Sequence, residues 1–127
     1  MADSEFDTLT KAAEGHYIRL EPGAAQECAR LCGLLITDLN SAINDADSLA
    51  GVEGFGTIAN AVSLAQRYGE LANKGDSSLK HALTKHRDLV ADMMETFIAA
   101  GRAYLVNEDA SAADLAGYDE KVAGYRP

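Results

Sequence analysis

The feature that most restricts this chain is a run of apolar residues, Ala25, Cys28, Cys32, Leu35, Leu39, Ala42, Ala46 and Leu49, recurring at alternating spacings of three and four. Such spacing keeps one stripe along an α-helix, and a strand, which repeats every two residues, does not present it. The run comes after Glu21-Pro22-Gly23, and proline suits the first helical position because it has no amide hydrogen to leave unsatisfied. The spacing predicts a helix over about residues 22–49. Leu31, Leu34, Ile36 and Ile43 lie off the stripe and widen the apolar surface beyond a coiled-coil seam. A single neighbouring helix would not cover it.

A second pattern begins after a break. Gly51, Gly54 and Gly56 fall within six residues, and glycine tolerates the left-handed conformations that a reversal needs. Gly54, Phe55 and Gly56 are therefore read as a hairpin turn. Thr57 then caps a helix carrying Ile58, Ala61, Ala65, Tyr68, Ala72, Gly75, Leu79, Ala82, His86, Leu89, Met93, Phe97, Ala100 and Tyr104 at the same alternating spacing, over about residues 57–106. The stretch Lys74-Gly75-Asp76-Ser77-Ser78 reads either as part of this helix or as a helix end and a new cap. The unbroken three-four phase favours continuity, and a three-helix arrangement is the alternative. Ahead of the hairpin, residues 1–20 hold a short helix in which Ser4 and Asp7 mark the start, Phe6 and Leu9 share a face and Gly15 marks the end. Beyond Asn107, residues 109–127 read as a flexible acidic tail.

The fold class expected is all-α: an antiparallel hairpin of two long helices within residues 21–108. Aromatics are 6% of the chain and Trp is absent, while Ala and Leu dominate; that balance favours helix packing over a sheet core. With 127 residues there is room for one domain. Two helices alone do not bury so wide a surface, so assembly into a four-helix bundle is expected, with Leu31, Leu34, Leu35, Leu39, Ile43, Leu89, Met93 and Phe97 as its interface.

Several functions are excluded by the same residues. A net charge of −9 repels a phosphate backbone, so no nucleic acid is expected as partner. The first residues, Ala2-Asp3-Ser4-Glu5, lack the basic patch and apolar run of a cleaved signal peptide, and no stretch is apolar enough to cross a bilayer. Cys28 and Cys32 share a helical face without further ligands for zinc, and read as two small buried apolar residues. His81 and His86 are five apart, about 500° around a helix, which is not the spacing of a metal pair. Asp88, Asp92 and Glu95 line one face but have Lys85 and Arg87 beside them and no Glu-x-x-His partner, as a solvated face would. No nucleophile motif occurs. The reading is a non-enzyme with no catalytic residues, metal or cofactor.

Tyr104 and Glu108, four apart at the end of the last long helix, stack as an aromatic ring beside a carboxylate. Tyr17 and Glu21 repeat this spacing, but they precede the hairpin. Together with the glycine-rich turn, the chain from about residue 20 to 108 resembles the WXG-type helical hairpins of type VII (ESX) secretion, known from mycobacteria and related actinobacteria. Phe55-Gly56 stands where that family has Trp-Xaa-Gly. The resemblance implies a Tyr-x-x-x-Glu export signal at Tyr104 and Glu108, and partners that are the chain itself, a related hairpin, or the secretion ATPase or chaperone. It also implies synthesis in the cytoplasm and export to the cell envelope or beyond. A cytosolic helical adaptor or chaperone that holds a partner's helix is the alternative.

Overall fold

A computed structural model describes residues 4–49, 59–74 and 78–127. Among these it is all-helical, with no strand: α1 (Glu5–Glu14), α2 (Pro22–Ser48), α3 (Ala59–Asn73), α4 (Leu79–Asn107) and α5 (Ala112–Ala123). The chain divides into two compact units, one formed by Met1–Thr37 with Asp88–Pro127 and the other by Asp38–Arg87.

Local chemistry sets most helix ends. α2 begins at Pro22 as the sequence implies, and Glu21 satisfies its first turn: its carboxylate accepts from the N–H groups of Gly23 at 2.9 Å and Ala24 at 3.0 Å. α1 and α4 both end in a Schellman motif, in which one residue turns left-handed and two successive N–H groups reach back to the last helical carbonyls. At α1 the left-handed residue is His16 (φ 65°), with bonds from His16 to Ala13 and from Tyr17 to Ala12, both at 2.9 Å. At α4 it is Asp109 (φ 57°), with bonds from Asp109 to Val106 at 3.2 Å and from Ala110 to Leu105 at 3.0 Å.

The first unit packs α1, the N-terminal part of α2, the C-terminal part of α4, and α5. Its contacts run in opposite order along α2 and α4: a Cβ on Gly101 would meet that of Ala25, and one on Gly33 would meet the side chain of Met94. Small residues make that close approach. Ala13, Ala25, Ala29, Ala100 and Ala103 are all buried, alongside Cys32, Ile36, Val90, Met94, Ile98, Tyr118 and Val122. α1 is tied down mainly by polar bonds to α4. The Ser4 hydroxyl donates to Asp92 at 2.8 Å, Thr10 and Thr96 share a hydrogen bond of 2.7 Å, and Thr96 also donates to the Phe6 carbonyl at 3.0 Å.

In the second unit, Ile43 and Ala46 of α2, Ala72 of α3 and Ser78 are buried. Arg87 donates to Asn40 at 3.1 Å and Lys80 pairs with Asp47 at 2.8 Å. α3 leaves Leu64, Tyr68 and Leu71 largely exposed.

Four expectations need correction. The second long helix, expected to run unbroken from 57 to 106, is two helices. Ser78 starts α4, its hydroxyl accepting from the His81 N–H and its carbonyl from that of Ala82, each at 3.1 Å, and a residue that caps a helix has non-helical backbone. Gly75 itself lies outside the described residues, as do Gly54, Phe55 and Gly56 of the expected hairpin turn. The segment expected to be a flexible tail carries α5, because Ser111 caps it by accepting from the Asp114 N–H at 3.1 Å and Tyr118 and Val122 find a buried surface. Ile43, expected at an assembly interface, is in the core of the second unit. His86, expected on the apolar seam, is exposed; the buried positions of α4 run through Val90, Met94 and Ile98 instead.

Candidate functional site

Burying the alanine side of α2 and the Val90-Met94-Ile98 side of α4 leaves the leucine side of the first unit uncovered. Between the two helices lies an open groove of about 210 Å³, lined by Cys28, Leu31, Cys32 and Leu35 from α2 and by Met93 and Phe97 from α4. Leu31 is 52% exposed, Leu35 40% and Leu89, one turn before Met93, 41%. Exposed leucines singly are ordinary on a protein surface; here Leu31 and Leu35 line one contiguous apolar groove.

Of the eight residues expected at an interface, four meet in this groove: Leu31, Leu35, Met93 and Phe97. Leu34 is 52% exposed and Leu89 41%, neither of them lining the groove. Leu39 is half-buried and Ile43 buried, both in the second unit. Cys28 and Cys32, read from the sequence as two small buried apolar residues, also line the groove; both thiols are free, Cys28 half-buried and Cys32 buried. Burial, reinforced by the neighbouring Cys28, pushes the Cys32 thiol up from its ordinary value.

Tyr104 and Glu108 sit on one turn, as their spacing requires. The Glu108 N–H donates to the Tyr104 carbonyl at 3.0 Å; Tyr104 is half-buried and Glu108 exposed. The chain beyond them is not a free tail. Asp109 turns it, and α5 returns along α4, where the Tyr118 hydroxyl donates to the Ile98 carbonyl at 2.7 Å and Arg102 pairs with Asp119 at 3.2 Å. Tyr118 is pushed up to about 12, first by burial and then by the Asp119 charge. The start of α5 was legible as Ser111 with Asp114 three residues later, a helix-start pattern.

The carboxylates of α4 have structural partners. Asp92 accepts from Ser4 and Glu95 receives Arg126 at 2.7 Å. A larger cavity of about 400 Å³ adjoins this pair, between α1 and α4, and its walls mix Glu14, His16, Glu95, Arg102 and Arg126 with alanines and aliphatic carbon. No group of three or more His, Cys, Asp or Glu side chains converges as a metal site among the described residues. No helix among them is long and apolar enough to cross a membrane. Compared with protein-family models, with curated proteins and with solved structures, the chain matches none.

Proposed function

We propose that this protein acts by helix packing, without catalysis, as a substrate or secretion-associated component of a type VII (ESX-type) export system. The observation that carries the packing half is the apolar groove of Cys28, Leu31, Cys32, Leu35, Met93 and Phe97. Its natural occupant is helical: a second copy of the chain or a related helical protein, whose helices against α2 and α4 complete a four-helix bundle. Complete burial of Leu31 and Leu35 would contribute about 1.5–3 kcal/mol each. A monodisperse monomer in sedimentation, unchanged by Leu31→Asp or Leu35→Asp, would remove this half.

The export half rests on Tyr104 and Glu108 standing on one turn at the end of α4. In this reading the secretion ATPase or a chaperone recognises the folded chain through that pair, and the protein passes from the cytoplasm to the cell envelope or beyond. Tyr104→Ala and Glu108→Ala should each abolish export while helicity stays constant. Export of both variants at the normal level would leave the packing half alone standing. One observation favours the adaptor reading instead: the chain after the pair forms α5, which packs on α4 with Tyr118 buried. On that reading the protein stays in the cell and releases its partner when Leu31 and Leu35 are made acidic.

A further inference from the structure

Three sulfur-bearing side chains line the groove of the first unit: Cys28 and Cys32 on α2 and Met93 on α4. Residues four apart on a helix hold their Cβ atoms about 5–6 Å from each other. Two thiolates each about 2.3 Å from one ion stand at most about 4.6 Å apart. The four-residue spacing therefore brings the two thiols within reach of a single ion, and Met93 lines the same groove from α4. The rest of the lining is carbon, from Leu31, Leu35 and Phe97. Neither cysteine is in a disulfide.

We propose that the groove binds one copper(I) ion through the Cys28 and Cys32 thiolates and the Met93 thioether. The donor set chooses the ion. Thiolate and thioether are soft ligands that select copper(I), whereas a structural zinc takes four ligands from cysteine, histidine and carboxylate. No cluster of even three such groups occurs among the described residues. The rest of the lining offers no hard oxygen ligand to the ion, and copper stays in the +1 state throughout. Binding releases two thiol protons as two S–Cu bonds form, so affinity rises with pH.

The test is an anaerobic titration of the full, reduced chain with copper(I) against a chromogenic copper(I) chelator. One ion per chain should resist the chelator and give a near-ultraviolet sulfur-to-copper absorption. Cys28→Ser and Cys32→Ser should each lose that ion. Met93→Leu should weaken it by at least about tenfold, the cost of removing even an outer-shell partner. Because Cys32 is buried, a measurement on the unmutated chain accompanies the variants: one equivalent of copper(I) should protect the half-buried Cys28 thiol from the alkylation it undergoes without copper. An unprotected Cys28 at one equivalent, copper retained in both serine variants, or zinc displacing copper at equal concentration would each overturn the proposal.

Discussion

The hydroxyl of Tyr118 on α5 donates to the main-chain carbonyl of Ile98 on α4 at 2.7 Å, and it reaches that carbonyl only because residue 101, one turn further along α4, is glycine. A Cβ on Gly101 would collide with the Tyr118 hydroxyl and would stand 2.5 Å from the Ala25 Cβ. One absent methyl thus lets α2, α4 and α5 close on one another.

Gly101→Ala should therefore cost about 1–3 kcal/mol, the range for forcing an extra methyl into a packed core, even though alanine is the better helix former. Denaturant unfolding measures the loss. Amide exchange should show residues 112–123 opening first; a variant as stable as the parent would mean that α5 does not pack as described.

The same tyrosine predicts a loss of stability in alkali. Its ordinary value is 10.0, and the fold raises it to about 12. A group held protonated in the folded state contributes stability that is fully present below its unfolded value and lost as pH rises through the folded one. Unfolding should become easier between about pH 10 and 12, and Tyr118→Phe should lack this phase while costing about 0.5–1.5 kcal/mol at neutral pH for the lost hydrogen bond. Unfolding curves across that pH range, for both proteins, check it.

At the acid end the relevant group is Glu21. Bonds from the Gly23 and Ala24 N–H groups hold its carboxyl below the ordinary 4.5. A lowered carboxyl contributes stability above its unfolded value and loses it as pH falls through the folded one. Glu21→Gln should thus flatten the stability profile on the acid side of pH 4.5 and leave its slope near neutrality unchanged. A titration of helicity against pH distinguishes the two proteins.

His16 holds a left-handed backbone angle that glycine adopts without strain. His16→Gly should raise stability by about 1 kcal/mol, while Asp109→Gly should gain less, because a short polar side chain already tolerates that region. Thermal unfolding of the two variants side by side tests the order.

Element by element, legibility tracks locality. The start of α2 at Pro22, the short first helix and the placing of Tyr104 and Glu108 on one turn depend on neighbours a few residues apart, and the residue types declare them. The break before α4 and the existence of α5 were also written locally, in Ser78 and in Ser111 with Asp114. They were obscured by a three-four phase that runs on through Gly75 and by the polar composition after Asn107. A helix as rich in alanine and leucine as α4 satisfies that phase in two adjacent registers, one through Leu89, Met93 and Phe97 and one through Val90, Met94 and Ile98.

Which register is buried was a tertiary decision. The apolar arc of α2 is wider than one contact needs, so its sequence established that it is a helix with much to bury, and did not say which side would be buried first. The alanine side closed because Gly33 and Gly101 let the main chain and Tyr118 come near, where a leucine would hold the helices apart. Leu31 and Leu35 were then left exposed, with half-buried Met93 and Phe97 completing the groove beside Cys28 and Cys32, and the site exists because backbones approach most closely where side chains are smallest.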